Sequence, residues 1–143
     1  MVTESSAHHP MNSQYSTIHQ YVVEGVLQRV DIGSPHTLFY VEFIDNNNDS
    51  KTMKVEWGSG ATLNRYYSIG SHSIQTGQRI RVTGYLSNNP EDLMLWPTSI
   101  YTEHELSYDR VTCNEVQKSG KPCVVHTQTP PLWPVLDQNF LRL

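Results

Sequence analysis

Gly77-Gln78-Arg79-Ile80-Arg81-Val82-Thr83-Gly84-Tyr85 is the stretch on which the fold turns. Its residues alternate, with Ile80, Val82 and Gly84 on one face and Arg79, Arg81, Thr83 and Tyr85 on the other. That is the period of a strand, not a helix. Working outward from this strand (78–86), four more segments read the same way. Residues 21–32 are rich in β-branched residues, broken only at Gly25, where a bulge or sharp bend is expected. Residues 37–44 alternate Phe39, Val41 and Phe43 with Leu38, Tyr40 and Glu42. Residues 51–57 turn Met53, Val55 and Trp57 inward and Lys54 and Glu56 outward. Residues 93–101 contain Pro97, which predicts an edge or a bulge. Asp45-Asn46-Asn47-Asn48-Asp49 and Asn88-Asn89-Pro90-Glu91-Asp92 are turns by composition.

Between the third and fourth strands, residues 61–68 predict a short helix with Leu63, Tyr66 and Tyr67 on its apolar side and Gly70 as its stop. Five strands with a helix at that point predict an all-β protein, an OB-fold-like five-stranded barrel. An SH3-like barrel is the nearest rival and lacks the helix. The expected core is Phe39, Val41, Phe43, Val55, Trp57, Ile80 and Val82, with Tyr40, Lys54, Glu56 and Arg81 more exposed.

The chain divides into an N-terminal arm (1–18), the barrel (19–103), an extension (104–127) and a Pro-rich apolar arm (128–143). Cys113 and Cys123 flank nine residues that include Ser119-Gly120, a natural turn. A disulfide between them would contribute about 2–3 kcal/mol on loop-entropy grounds and would imply an oxidising compartment. Two free thiols are the other reading. Short strand-like pieces are expected at 108–112 and 123–127. The last arm carries Leu132, Trp133, Val135, Leu136 and Phe140 among its prolines. A disordered tail is poor in such residues, so these five are expected to be buried, either on the chain's own barrel or, the favoured reading, as partner-binding residues on a protein partner or another copy of the chain.

Ten Lys and Arg against fourteen Asp and Glu give a net charge of −4, and the basic residues are scattered. That disfavours nucleic acid as a partner, since phosphate binding leans on a clustered basic face. No run approaches the roughly 20 apolar residues of a membrane helix. Residues 1–11 are polar and hold no signal-peptide core. Met1 is read as the start of part of a longer chain, not as a sign of a cytosolic protein.

Chemistry is sparse. His8-His9 is the first candidate metal site. A chain starting at Ala7 would offer amine, amides and the His9 imidazole in the square plane that Cu(II) prefers. One starting at His8 would offer a brace of amine and imidazole, completed by His36 or His72. With Met1 ahead neither forms as drawn, and the plain alternative is an arm with two solvated histidines. Pro35-His36 ends the first strand, where His36 either bonds a loop carbonyl or serves as a metal ligand. Copper is therefore the only cofactor the residues suggest, and none is certain. No Ser or Cys has a neighbouring base in a recognisable nucleophile motif. Glu91/Asp92 and Glu103/Glu105 read as solvated acids, and outward Tyr40 and Tyr85 suit base stacking.

Ala7-His8-His9, Glu24-Gly25-Val26, Ser34-Pro35-His36, Val55-Glu56-Trp57 and the Gly77–Gly84 strand, in that order, resemble a family of small exported proteins of Gram-negative bacteria of unknown function. The resemblance spans roughly residues 7–101 and implies export and a barrel, but no activity. The chain departs from the family pattern at Pro10, where Ser is usual, and at Tyr66–Gly70, where Gly-Trp follows the helix.

Together these readings predict a periplasmic or extracellular, non-catalytic binding or assembly module that docks through its C-terminal arm. The alternative is a periplasmic copper-binding protein using His8, His9 and His36. A further alternative is a single-stranded nucleic-acid-binding OB domain.

Overall fold

The computed structural model describes residues 15–67, 74–89, 91–103, 106–110, 133 and 140–143. Its elements are β1 (Tyr15–Asp31), β2 (Thr37–Ile44), β3 (Ser50–Trp57), α1 (Gly60–Tyr67), β4 (Arg79–Ser87), β5 (Met94–Thr102), β6 (Ser107–Asp109) and β7 (Leu141–Arg142). The protein is mostly β-strand with one short helix among the described residues. No described helix is long and apolar enough to cross a membrane.

The strand pairings run in a circuit. β1 pairs antiparallel with β2 at one end and with β4 along most of its length. β2 pairs with β3, β4 with β5, and β3 meets β5 in a short parallel contact, Lys54 with Met94 and Val55 with Leu95. A strand long enough to pair on both sides must let neighbouring backbones approach closely, and glycine provides the room. A Cβ on Gly25 would lie 1.9 Å from the Glu42 carbonyl oxygen, and one on Gly84 would lie 2.0 Å from that of Trp96. The expected irregularity at Pro97 is a register shift between Thr83 and Gly84 opposite it. β1 shifts register between Leu27 and Arg29 against β2, two residues beyond Gly25, and again between Tyr15 and Gln20 against β4.

The seven expected core residues are all buried, joined by Leu27, Met53, Leu63 and Ile100 among others. Ser59 caps α1 by accepting from the Thr62 amide at 3.2 Å, which turns Leu63 into the core.

Two outward assignments need correction. Glu56 and Arg81 are buried, at 9% and 6% exposure. Alternation correctly set them opposite the core, but it cannot show that a second layer covers that face. Tyr15 and His36 close over Glu56, while Tyr101 and Trp133 flank the Arg81 guanidinium. The expected N-terminal arm also ends sooner, because β1 begins at Tyr15 and not in the low twenties. Polar Ser16, Thr17, His19 and Gln20 mask that first part of the strand in sequence.

Two short strands complete the sheet. β6 adds to β5, at Ser99–Tyr101, and β7 lies parallel to β1 at Tyr21 and Val22. Cys113, Cys123 and the expected strand at 123–127 lie outside the described residues.

Candidate functional site

The β2–β3 register sets Thr37 opposite Trp57 and Leu38 opposite Glu56. One step further, His36 falls level with Gly58, whose carbonyl accepts from the Thr37 amide at 2.9 Å. Glu56 is then the diagonal neighbour of His36 on the same face, within reach of long side chains. The His36 Nδ1 lies 2.7 Å from Glu56 Oε2, and each side chain is only 12% exposed. The other carboxylate oxygen, Oε1, accepts from the Tyr15 hydroxyl.

Tyr15 reaches this point from β1, 41 positions away in sequence. Its ring is 1% exposed and stands edge-on to Trp96, with centroids 5.6 Å apart. Burial and the Glu56 carboxylate both push the Tyr15 hydroxyl far above its ordinary pKa. It therefore stays a neutral donor across the biological pH range. The Arg110 guanidinium also lies 6.0 Å from the Trp96 ring centroid and donates to the Pro97 carbonyl. Three polar side chains, from β1, β3 and the loop just before β2, thus meet in one half-sealed chain, Tyr15–Glu56–His36.

Sequence reasoning found one of the three. In the sequence His36 stands out as a candidate ligand, Glu56 reads as an outward residue and Tyr15 falls in the arm. The available signal was that Pro35-His36 and Val55-Glu56-Trp57 bracket a hairpin of near-equal strands, which sets the two at one end. The candidate ligands His8, His9 and His72 lie outside the described residues. Among the described residues no group of three or more His, Cys, Asp or Glu could hold a metal ion. His36 and Glu56 are accordingly part of a site at most.

A second cluster surrounds Trp133. Its ring lies 5.4 Å from the Arg79 guanidinium and 5.3 Å from that of Arg81, which also sits 5.7 Å from the Tyr101 ring. Burial lowers the Arg81 pKa, the leading cause of its shift. Of the other residues assigned to partner binding, Phe140 is half-buried, and Leu132, Val135 and Leu136 lie outside the described residues. A cleft of about 280 Å³ between the β2–β3 turn and Leu143 carries the Asp45–Lys51 ion pair on its wall.

The chain belongs to a family of unknown function (DUF6152), which residues 1–93 match. That span contains His8, His9, His36 and Glu56, and leaves out β5 and everything after it, the C-terminal arm included. No curated protein and no solved structure matches the chain.

Proposed function

We propose that this protein is an exported, non-catalytic binding module on an OB-type barrel, and that its ligand is a transition-metal ion, copper by preference. In this reading His36 ligates the metal together with His8 or His9 of the N-terminal arm. The observation that carries it is the 2.7 Å contact between His36 Nδ1 and Glu56 Oε2. Metal-ligating histidines characteristically give their second ring nitrogen to a carboxylate. With Nδ1 committed to Glu56, ligation runs through Nε2.

The tether supports the same site. Tyr15 bonds the carboxylate that holds His36, and His9 stands only six residues before Tyr15 in sequence. Six residues span at most about 20 Å, a length over which the His pair could reach His36. Imidazoles suit copper, zinc and nickel, and copper binds tightest of the divalent series. The circuit β1-β2-β3-β5-β4 with a helix between β3 and β4 supports the OB assignment over an SH3-like barrel. A Cys113–Cys123 disulfide would fit an exported protein.

Titration of the chain 1–143 with Cu(II) tests this. One ion should bind per chain. His36→Ala, and His8→Ala combined with His9→Ala, should each weaken binding. A form starting at Ala7 should bind more tightly, because its free amine adds a ligand. Unchanged uptake by His36→Ala would overturn the site.

Assembly through the C-terminal arm draws less support. Trp133 lies against Arg79 and Arg81 of its own chain, and Leu141–Arg142 pair with Tyr21–Val22 of the same chain. In the assembly reading those contacts would be made between copies. Single-stranded nucleic acid fares worse, because Arg29, Lys51, Lys54 and Arg142 each face an acid within 3.3 Å.

A further inference from the structure

We propose that the groove between β1 and the β2–β3 turn docks an extended segment of a partner protein, one in which a basic residue precedes a large apolar one. Residues 141–143 hold that groove as the chain's own occupant. Val26 pairs with Arg79 of β4 on one edge of β1 and with Glu42 of β2 on the other. Tyr21 and Val22 also pair with β4, so β7 lies on the edge that β2 has left. A strand slot of this kind offers a peptide main-chain hydrogen bonds, and the places for its alternate side chains give selectivity.

Both kinds of contact surround Arg142. Asn46 Nδ2 donates to its backbone carbonyl at 3.0 Å, a contact that any residue there would make. Its guanidinium is selected by charge, with Nη1 2.9 Å from Glu24 Oε1. Leu143 points to the opposite side by alternation and packs on the margin of the core. Beside it opens the cleft of about 280 Å³, with Phe43 and Leu93 as its apolar walls and the Asp45–Lys51 ion pair on its polar side.

Two observations favour a partner over residues 141–143 as the better occupant. The chain's own hold is slight, since β7 pairs through two residues and its ion pair is exposed. Leu143 is also one wall of the cleft and not its content. A larger apolar side chain at that place would enter the cleft, while the basic residue before it keeps Glu24.

Fluorescence anisotropy on the chain 1–143 tests this. The probe is a fluorescein-labelled, amidated peptide of residues 137–143, Asp137-Gln138-Asn139-Phe140-Leu141-Arg142-Leu143. A tethered copy competes with a free one. Weakening it by Arg142→Ala with Leu143→Ala in the protein should therefore tighten peptide binding by about tenfold or more. On that protein, the peptide carrying Leu143→Trp should bind more tightly than the unaltered peptide. The peptide carrying Arg142→Glu should bind more weakly, as should the unaltered peptide once Glu24→Gln is added to the protein, each by up to about fivefold. Equal binding by the parent and the double variant would overturn the site. If Leu143→Trp brings no gain and light scattering shows the parent pairing with itself through this segment, the occupant is a second copy and the partner reading fails. Should circular dichroism show the double variant unfolded, the parent decides. A large excess of nitroxide-labelled peptide should broaden the NMR amide signals of Val22 and Asn46, and their staying sharp overturns the proposal.

Discussion

Arg142 Nη1 stands 2.9 Å from Glu24 Oε1 and pins the end of the chain across β1. The backbone carbonyl of the same arginine accepts from Asn46 Nδ2 at 3.0 Å, so one residue ties the β2–β3 turn to the first strand. Both charged side chains are well exposed, at 57% and 37%, and an exposed pair of this kind contributes at most about 1 kcal/mol. Trp133, with two guanidiniums against its ring, should matter more. Each exposed cation–π contact is worth about 0.5–1 kcal/mol.

Trp133→Ala should therefore lower unfolding stability by about 1–2 kcal/mol, and Arg142→Ala by less, in urea titrations. Deleting residues 128–143 should leave a folded monomer, because the described core includes only Leu143 of that segment, at its edge. Light scattering on the truncated and complete chains also separates the two uses of the arm. If the complete chain is an oligomer and the truncated one a monomer, the arm joins copies. If truncation unfolds the protein, the core extends further than the strand circuit indicates.

In the core, Phe39 is fully buried with its ring edge-on to Trp57 at 5.8 Å. Phe39→Ala should cost about 3–5 kcal/mol, the usual range for a large aromatic truncation, and Val41→Asp should abolish folding. Gly25→Ala tests the strand crossing. The added methyl would meet backbone at 1.9 Å, and backbone cannot rotate away as a side chain can. Its cost should reach or exceed the top of the roughly 1–3 kcal/mol range for overpacking. A thermal melt unchanged from the parent would mean that β1 and β2 do not cross there.

The β2–β3 turn should report on acid. Asp45 Oδ1 accepts from the Asn47 and Asp49 amides, each at 2.9 Å, and Oδ2 faces Lys51 Nζ at 3.3 Å. The Asp49 amide is the main reason its pKa lies below the ordinary value, with Lys51 adding to it. A carboxylate depressed in the folded state stabilises it above the unfolded pKa, about 3.9. That stability is lost as pH falls through the lower folded value. Asp45→Asn should flatten this part of the melting-temperature curve between about pH 5 and pH 2 while leaving the neutral-pH fold intact. A variant that follows the parent's acid limb unchanged would remove Asp45 as a contributor.

The five long strands are legible because alternation is a local property, and each lies within one residue of its expected place apart from the start of β1. β6, by contrast, is shorter than the piece expected at 108–112, and β7 has no counterpart among the expected strands. What stayed hidden depends on long-range contact. Glu56 reads as a surface residue between Val55 and Trp57, and only the arrival of Tyr15 and His36 makes it a buried acceptor. Arg81 likewise reads as solvated until Trp133, 52 positions later in sequence, settles against its guanidinium. Tyr15 gave no signal at all, since the residues after it are polar and break any period. His36 could be singled out from its neighbours, but the carboxylate that orients it could not.

Tyr15 itself makes the sharpest prediction. Its ring is 1% exposed, and its hydroxyl donates to a carboxylate. Desolvation leads in raising its pKa, followed by the hydrogen bond and the charge of Glu56. The neutral phenol is therefore favoured in the folded protein. Its contribution is fully present below the unfolded tyrosine pKa, about 10, and fades only as pH rises beyond that. Ultraviolet titration of the chain should show a late-ionising step to which Tyr15 contributes alongside Tyr101, whose pKa burial also raises, and Tyr15→Phe should reduce that step by one tyrosine. Removing the hydroxyl leaves Glu56 short of one donor, so the variant should also lose about 1.5–3 kcal/mol, the range for hydrogen bonds to charged groups. If the late step in Tyr15→Phe is as large as in the parent, Tyr15 is not among the late-ionising phenols and its contact with Glu56 does not hold in solution.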